Sequence, residues 1–226
     1  MCGRFTLQLG ADELAREFGL VFSGLHIEKR FNIAPGQVVI VVRPAKAGRA
    51  LDAMIWGLVP SWSKDPSGGP RPINARAETL AEKPMFRGPF KNGRCIIPAS
   101  GFYEWKAEGK AKTPWYIHPQ GEPLFAFAGL SSLWEGPEGE LRTCTIITTE
   151  PNALMAALHN RMPAILPREH WDAWLDPAER NPGRLLLPFP DSGMASHPVG
   201  PAVGNPNNEG LELIEPVHGE NLLLPG

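Results

Sequence analysis

Proline and glycine occur along the whole chain and constrain its fold more than any other feature. The sequence has 25 prolines and 24 glycines among 226 residues, with no internal repeat or low-complexity tract. Both residue types interrupt helices and mark turns. The apolar segments between them are short and closely spaced, which favours antiparallel strands over units with helical crossovers. These segments are QVVIVVRP (37–44), LDAMIWGLVP (51–60), RCIIPAS (94–100), TPWYIHP (113–119), LFAFAGL (124–130) and LRTCTIITT (141–149).

Helical patterns are fewer than strand patterns. ADELAREF (11–18) sets Leu14 and Phe18 four residues apart, as one face of a helix requires. Three more segments have helical patterns: ARAETLAEK (75–83), TEPNALMAALH (149–159) and PREHWDAWL (167–175). We expect Thr149 to cap the second of these. The sequence therefore predicts an α+β fold, a single domain over residues 1–226 with a bent or barrel-like, mainly antiparallel sheet and peripheral helices.

Composition narrows the class of protein. No apolar run approaches the roughly 20 residues of a membrane span, and no long apolar signal-peptide core is present, so we expect a cytoplasmic protein. Cys2, Cys95 and Cys144 are odd in number and widely spaced, which suits free thiols in a reducing compartment. Without CxxC or HExxH spacings, we expect neither a metal nor a cofactor. The formal net charge of −2 gives no sign of nucleic-acid binding. The distribution is uneven, with a balance of +7 over residues 1–115 and −9 over residues 116–226, which permits a local basic face or two halves whose charges intermingle on one surface.

The first residues, MCGRF, place a cysteine where removal of Met1 would make it the amino terminus. Such a residue carries an amine and a thiol on adjacent carbons. The amine forms an imine with an aldehyde, and the thiol then closes a five-membered thiazolidine ring. With an α-amino pKa of about 7.7–8.0, roughly 10–20% of the amine is neutral at pH 7, several hundred times more than for a lysine. The sequence therefore predicts that Cys2 is a reactive group.

Three further polar stretches lie at boundaries of predicted elements: INARAET, GFYEWK and LHNRMP. In the second, Glu104 is flanked by aromatic residues, and burial there disfavours the charged carboxylate, so that this group can act as both acid and base. The other two stretches offer Asn74, Arg76, His159 and Arg161. Each has a common structural interpretation: an outward strand glutamate, a turn or capping asparagine, a helix-end histidine, an ion-paired arginine. None of them alone identifies a site.

Taken together, six motifs resemble the signature of the SRAP family, the SOS response-associated peptidase-like proteins. The motifs are MCGRF, FNIAPG, WGLVPSW, INARAET, GFYEW and HNRMP. They occur in the family's order over residues 2–163, without a departure at the chemically important positions. The later segment VGNPNNEGLELIEPV is similar to the family's C-terminal stretch.

This resemblance implies a sensor of abasic sites in single-stranded DNA that becomes covalently attached to the lesion. Cys2 would trap the open-chain aldehyde of the sugar as a thiazolidine, and Asn74 would orient the sugar-phosphate. Glu104 and His159 would manage protons. The implied DNA-binding residues are Arg4, Arg76 and Arg161 for phosphates and Trp62 for stacking on a base. We expect a monomer whose partner is single-stranded DNA with abasic sites and that associates with the nucleoid when bound.

Two other functions are compatible with these residues. An N-terminal-nucleophile amidohydrolase or self-processing peptidase would use the Cys2 thiol and amine against an amide. The family's peptidase name points that way, and weak lyase activity at abasic sites would follow from the imine. A DNA-binding module without chemistry would explain Trp62 and the arginines but would leave Cys2, Glu104 and His159 without a role. Alternating layers of strands and helices would favour the amidohydrolase. The sequence instead reads as mostly short antiparallel strands, which favours the DNA-crosslinking interpretation.

Overall fold

The computed structural model describes residues 2–20, 26–46, 48–109, 111–137 and 139–217. Its strands are β1 (Phe5–Leu7), β2 (Arg30–Ile33), β3 (Val38–Ala45), β4 (Gly48–Trp56), β5 (Asn74–Arg76), β6 (Arg94–Ala99), β7 (Gly101–Glu108), β8 (Ala111–Pro119), β9 (Phe125–Gly136), β10 (Gly139–Thr149), β11 (Met162–Pro163) and β12 (Met194–Pro198). The α-helices are α1 (Ala11–Phe18), α2 (Pro84–Asn92), α3 (Ala153–Ala156) and α4 (Trp171–Leu175). Short 3-10 helices cover Ala77–Thr79, Arg168–His170, Pro182–Leu185, Asp191–Gly193, Pro201–Gly204 and Leu211–Ile214. Within these ranges no helix is long and apolar enough to span a membrane.

Five strands close into a small barrel. The hydrogen-bonded order runs β10, β4, β3, β6 and β9, and β9 pairs again with β10 to complete the ring. Every pairing in the ring is antiparallel except that of β4 with β10. Fully buried apolar residues such as Val41, Ile96 and Phe127 come from three of these strands. Closure removes the free edges of the sheet and leaves an interior filled by side chains.

A second, antiparallel sheet packs beside the barrel in the order β12, β8, β7, β1 and β2. Its strand β1 is anchored by Phe5, whose ring meets Trp56 and Phe127 at centroid distances of 5.2 and 6.2 Å. This contact fixes the chain just after the predicted reactive cysteine. The architecture confirms the predicted single domain with a barrel-like, mainly antiparallel sheet and peripheral helices.

The predicted strands and the first predicted helix are confirmed. All six apolar segments contain a strand, β3, β4, β6, β8, β9 or β10. Helix α1 buries Leu14 and Phe18, the two residues that its spacing placed on one face. It ends at Gly19, whose φ of 61° lies in the left-handed region that glycine adopts readily. The local sequence pattern therefore predicted these elements correctly, because it agrees with their packing in the fold.

The helix predicted over residues 75–83 is wrong. The segment Asn74–Arg76 forms β5, which pairs in parallel with residues 146–148 of β10, and a single 3-10 turn follows. Lys83 is extended because it precedes Pro84, and a residue before proline avoids the helical region. The sheet thus overrides the local helix propensity of this segment.

Two other helices are shorter than predicted. Helix α3 covers only Ala153–Ala156, and its cap is the Asn152 side chain, which accepts a hydrogen bond from the Met155 amide at 2.9 Å. Thr149 is therefore not the cap; it belongs to β10 and pairs with Met162 of β11. The segment predicted at 167–175 divides into a 3-10 turn and α4.

A buried polar network ties the C-terminal segment to the start of the chain. The Asn32 side chain is fully buried, and its amide donates to the carbonyls of Val203, Asn205 and Asn208 at 3.3, 2.9 and 3.0 Å. Its oxygen accepts from Arg4 at 2.9 Å. Arg4, two positions after Cys2, is therefore held by a segment about 200 positions away.

Candidate functional site

Cys2 is completely buried three residues before β1. The pairing of Phe5 with Phe102 continues toward the terminus, because the Tyr103 amide donates to the Arg4 carbonyl at 3.0 Å. The Cys2 carbonyl accepts from Asn74 Nδ2 at 2.9 Å, and its thiol donates to the Arg4 carbonyl at 4.0 Å. The main chain around the thiol is thus fixed by β5 and β7.

The surroundings of Cys2 disfavour its thiolate. Burial raises the pKa of the Cys2 thiol well above its ordinary value, and the negative charge of Glu104 raises it further. Glu104 lies on β7 and is only 3% exposed. Both effects penalise a second negative charge in a site from which water is excluded. The thiol is therefore protonated at neutral pH.

Asn74 joins β5 to this site. Its position is set by the parallel pairing with Ile146 of β10. Nδ2 is bound to the Cys2 carbonyl, whereas the buried Oδ1 has no hydrogen-bond partner in the described part of the chain. Buried amide oxygens are normally paired, so this atom is an acceptor available to a bound group.

His159 lies just beyond α3, and its amide donates to the Met155 carbonyl at 2.7 Å. Its Nδ1 accepts from the Arg161 backbone amide at 3.0 Å, so the proton of the neutral ring lies on Nε2. The ring lines a cleft of about 430 Å³ together with Lys106 of β7. Lys106 lies two residues after Glu104, and alternate strand residues share a face of the sheet. The cleft therefore lies on the same face of β7 as the carboxylate beside Cys2.

Of the predicted phosphate-binding residues Arg76 and Arg161, only Arg161 forms an ion pair, with Glu78, and Arg76 lies near enough to act on the same carboxylate by its charge. Arg161 contacts both Glu78 oxygens, at 2.6 and 2.9 Å, and donates to the Thr148 carbonyl at 2.7 Å. A hydrogen bond from Arg161 is the main cause that lowers the pKa of Glu78, and the charge of Arg76 adds to it. Arg76 is exposed and pairs with Thr148 in the sheet. Basic charge is thus concentrated here, with one of the two arginines engaged by an acid.

Arg4 and Trp62 have different surroundings. Arg4 donates to Asn32, Val203 and Gly204 at 2.9, 2.9 and 3.2 Å, which uses three of its five N–H donors. Trp62 is 65% exposed in the loop between β4 and β5. The structure therefore joins Asn74 to Cys2 by a hydrogen bond, places Glu104 close enough to act electrostatically on the Cys2 thiol, links His159 to Arg161, and places Trp62 on a separate loop.

Sequence reasoning did not single out three residues that lie next to predicted site residues in the structure: Glu78, Lys106 and Asn32. Glu78 is part of INARAET and follows Arg76 by two residues, but only the pairing of β5 with β10 shows that it meets Arg161. Asn32 is in FNIAPG, where an asparagine before a turn is an ordinary residue. Their roles depend on contacts between distant parts of the chain, for which no local pattern exists.

The described residues contain no group of three or more His, Cys, Asp or Glu side chains placed to hold a metal ion. The site instead combines a buried thiol, an amide, a carboxylate and an imidazole donor. Fold and site together define a mostly β protein with a buried thiol just before its first strand, close to an amide and a carboxylate.

The chain belongs to the SRAP family, because the family model described as SOS response associated peptidase (SRAP) matches residues 1–206. It is 42% identical over 222 residues to the abasic site processing protein YoaM of Bacillus subtilis (strain 168), covering 95% of this chain and 98% of that protein. It is 34% identical to the abasic site processing protein YedK of Escherichia coli (strain K12), covering 96% and 100%. A crystal structure of a protein from Bacteroides thetaiotaomicron matches with a TM-score of 0.87 at 28% identity, covering 96% and 100%.

Proposed function

We propose that this chain processes abasic sites in single-stranded DNA by forming a thiazolidine crosslink through Cys2 after Met1 is removed. The observation that carries the proposal is the buried Cys2, held by Asn74 and adjacent to the Glu104 carboxylate. Similarity to proteins named for abasic site processing supports it. The crosslink would shield the lesion during the DNA damage response.

The reaction balances without a cofactor. The abasic sugar opens to an aldehyde, whose carbon is attacked by the Cys2 amine with loss of one water to give an imine. The thiol then adds to the imine carbon: a C–S bond forms, and the thiol proton passes to the nitrogen. Ring closure is intramolecular and has a high effective molarity, so the adduct outlasts a simple imine.

The electrostatics of Cys2 support the order of these steps. Because the pKa of the thiol is raised, the amine is the better first nucleophile and the thiol acts second. Glu104 would carry protons during imine formation and ring closure. His159, whose neutral ring bears its proton on Nε2, would donate a hydrogen bond to the sugar oxygen during ring opening, and the unpaired Asn74 Oδ1 would orient the sugar.

DNA binding would use a short phosphate track. Arg76 and Arg161 would contact phosphates that flank the lesion, and Arg4 retains two N–H donors for a third. Exposed Trp62 would stack on a neighbouring base, an interaction worth roughly 1–3 kcal/mol. Such a track needs no overall positive charge, in agreement with the net charge of −2.

Associated activities would follow from the same groups. Elimination of the 3′ phosphate through the imine would give weak lyase activity. Attack of the Cys2 thiol on the Met1 carbonyl would break the Met1–Cys2 peptide bond and form a thioester, from which water would release methionine; the protein would then be a self-processing peptidase. In that case Glu104→Gln protein should retain Met1 in an intact mass spectrum. Complete removal of Met1 in this variant would instead assign the cleavage to the cell's own methionine aminopeptidase.

The crosslink is tested with purified protein and a single-stranded oligonucleotide that carries one abasic site. We expect a denaturation-resistant adduct whose mass is the sum of protein without Met1 and oligonucleotide, less one water. Cys2→Ala should abolish this adduct, whereas the matched variant Cys95→Ala, which removes another buried thiol, should retain it. An undiminished, stable adduct in Cys2→Ala would refute the thiazolidine.

A further inference from the structure

Two histidines outside this site lie next to each other on the second sheet. In the pairing of β8 with β12, His118 lies opposite Ala195 and His197 opposite Tyr116, so the histidines are diagonal neighbours on one face. Their ring centroids are 5.5 Å apart. Both line a cleft of about 510 Å³ that Gln8 borders beyond the end of β1, whereas Cys2 precedes β1. This cleft is therefore separate from the candidate active site.

Each histidine is held by a backbone carbonyl through one ring nitrogen. His118 Nδ1 donates to the Pro119 carbonyl at 3.0 Å, and His197 Nε2 donates to the Ile214 carbonyl at 2.8 Å. Because carbonyls only accept, the neutral rings carry lone pairs on His118 Nε2 and His197 Nδ1. A hydrogen bond from the second ring nitrogen to a backbone carbonyl is the usual support of a metal-ligating histidine.

The separation of the rings suits a shared ion. With metal–nitrogen distances of 2.0–2.1 Å, two imidazoles on one tetrahedral ion have centroids about 5 Å apart. The observed rings are tilted by 56° to one another, so their approach is not face-to-face stacking. The two histidines are far apart in the sequence, so no metal-binding motif is visible there.

The charge of the cleft selects a cation. Glu13 and Glu122 both line it; Glu122 is also paired with Arg168 at 3.6 Å, but no lysine or arginine belongs to the lining itself. Glu13 is held in place by a hydrogen bond from the Gly10 amide at 2.8 Å. Carboxylates beside two imidazole lone pairs attract a divalent cation and repel an anion, and imidazole ligands select zinc-like ions over Mg²⁺ or Ca²⁺.

We propose that His118 and His197 form a binding site for a divalent transition-metal ion of the zinc type, with water completing the coordination. Two protein ligands make an exchangeable site, in keeping with the absence of a group of three ligands among the described residues. The ion would link β8 to β12 and, through the Ile214 carbonyl, to the 3-10 helix Leu211–Ile214. This site is independent of the proposed crosslinking function.

Calorimetric titration with ZnCl₂ tests the site. The background is Cys2→Ala protein, because a terminal aminothiol would itself bind zinc. We expect one zinc site per chain, at least tenfold weaker binding in His118→Ala and in His197→Ala, and unchanged binding in His26→Ala, a control whose side chain is 88% exposed. Affinity should fall as the pH is lowered, since protons compete for the imidazoles.

A second measurement does not depend on the variants being folded. Cu²⁺ bound to the same Cys2→Ala protein should show electron paramagnetic resonance couplings from two imidazole nitrogens. Zinc affinity that is the same in both histidine variants, no zinc binding at micromolar concentrations, or a Cu²⁺ spectrum without nitrogen coupling would overturn the proposal.

Discussion

At the scale of single residues, the most informative group is the Cys2 thiol. Catalytic cysteines that attack first are activated by positive neighbours, which lower the thiol pKa. Here burial and Glu104 act in the opposite direction and raise it. A protonated thiol is a poor first nucleophile against an amide but is well suited to add to an imine already formed by its own amine. The environment thus favours aldehyde capture over a thiolate-first peptidase.

Replacing Glu104 by glutamine should move two measurements in opposite directions. Loss of the negative charge lowers the pKa of the Cys2 thiol. Alkylation of Cys2 by iodoacetamide, measured on the folded protein from pH 7 to 10, should therefore become faster. Adduct formation on an abasic oligonucleotide should become slower by about 10²–10⁴-fold, the typical contribution of a positioned acid–base group. Glu108→Gln, an exposed glutamate of the same strand paired with Lys106, is the matched control and should change neither. Slower alkylation together with normal crosslinking would contradict both assignments.

At the scale of secondary-structure elements, the sequence predicted those whose local pattern agrees with their packing. Helix α1 is an example, since its apolar spacing is also its buried face. The segment 75–83 is the counterexample: its helix-forming residues are drawn into β5 by pairing with β10, a partner about 70 positions away. The same limit applies to the site. Cys2 and Glu104 were identified from their chemistry, whereas Glu78 and Asn32 act through long-range contacts that the sequence does not display.

Asn32 on β2 and its partner Arg4 hold the C-terminal segment by hydrogen bonds, so Asn32→Ala should destabilise the whole fold. The substitution removes one of the three Arg4 hydrogen bonds and the Asn32 donor of three carbonyls; Val203 keeps its bond from Arg4 and Asn205 its bond from the Asn208 amide, so the Asn208 carbonyl and one Arg4 N–H lose their partner. Because each unsatisfied buried group costs about 1–3 kcal/mol, and neighbours relax in part, we expect a loss of about 2–4 kcal/mol in the free energy of unfolding by urea. Asn208→Ala removes a single exposed side-chain bond, to the Ala202 carbonyl, and should cost less than about 1 kcal/mol. Equal effects of the two substitutions would show that the network is not what stabilises this contact.

The pairing of β5 with β10 creates the charged cluster that should bind phosphate. Arg76→Ala should weaken binding to single-stranded DNA and reduce the slope of log affinity against log salt by about 0.7, the value for one phosphate contact. Glu78→Gln should strengthen binding, because it releases Arg161 from its two-bond pair. Fluorescence anisotropy over a range of salt concentrations measures both, with Arg184→Ala, whose arginine pairs with Glu179, as control. Unchanged affinity and slope in Arg76→Ala would assign this arginine a structural role.

At the scale of the whole molecule, closure of the barrel buries groups that titrate only at high pH. Cys95 and Cys144 lie on β6 and β10, opposite Gly129 and Ser131 of the shared neighbour β9. Burial raises the pKa of both thiols well above the ordinary value, and in the second sheet burial raises the pKa of Tyr116 to about 12. The sequence indicated free thiols but could not show that they share an enclosed interior, because barrel closure depends on the pairing of β9 with both β6 and β10.

This burial predicts a loss of stability in alkaline solution. In the unfolded chain a thiol loses its proton near its ordinary pKa of 9.0, whereas the pKa of Cys95 is raised in the folded chain. The folded state therefore holds more protons above pH 9, and the free energy of unfolding should fall by about 1.4 kcal/mol per pH unit for each such thiol, while below pH 9 this contribution is complete. Urea unfolding from pH 8 to 10.5 should show a shallower decline in Cys95→Ala than in the unmodified chain, by one thiol's share. Ile96→Val, a neighbouring barrel substitution without a titratable group, should give a curve parallel to that of the unmodified chain. If the Cys95→Ala curve is also parallel, the thiol titrates alike in both states and the barrel interior is accessible to hydroxide.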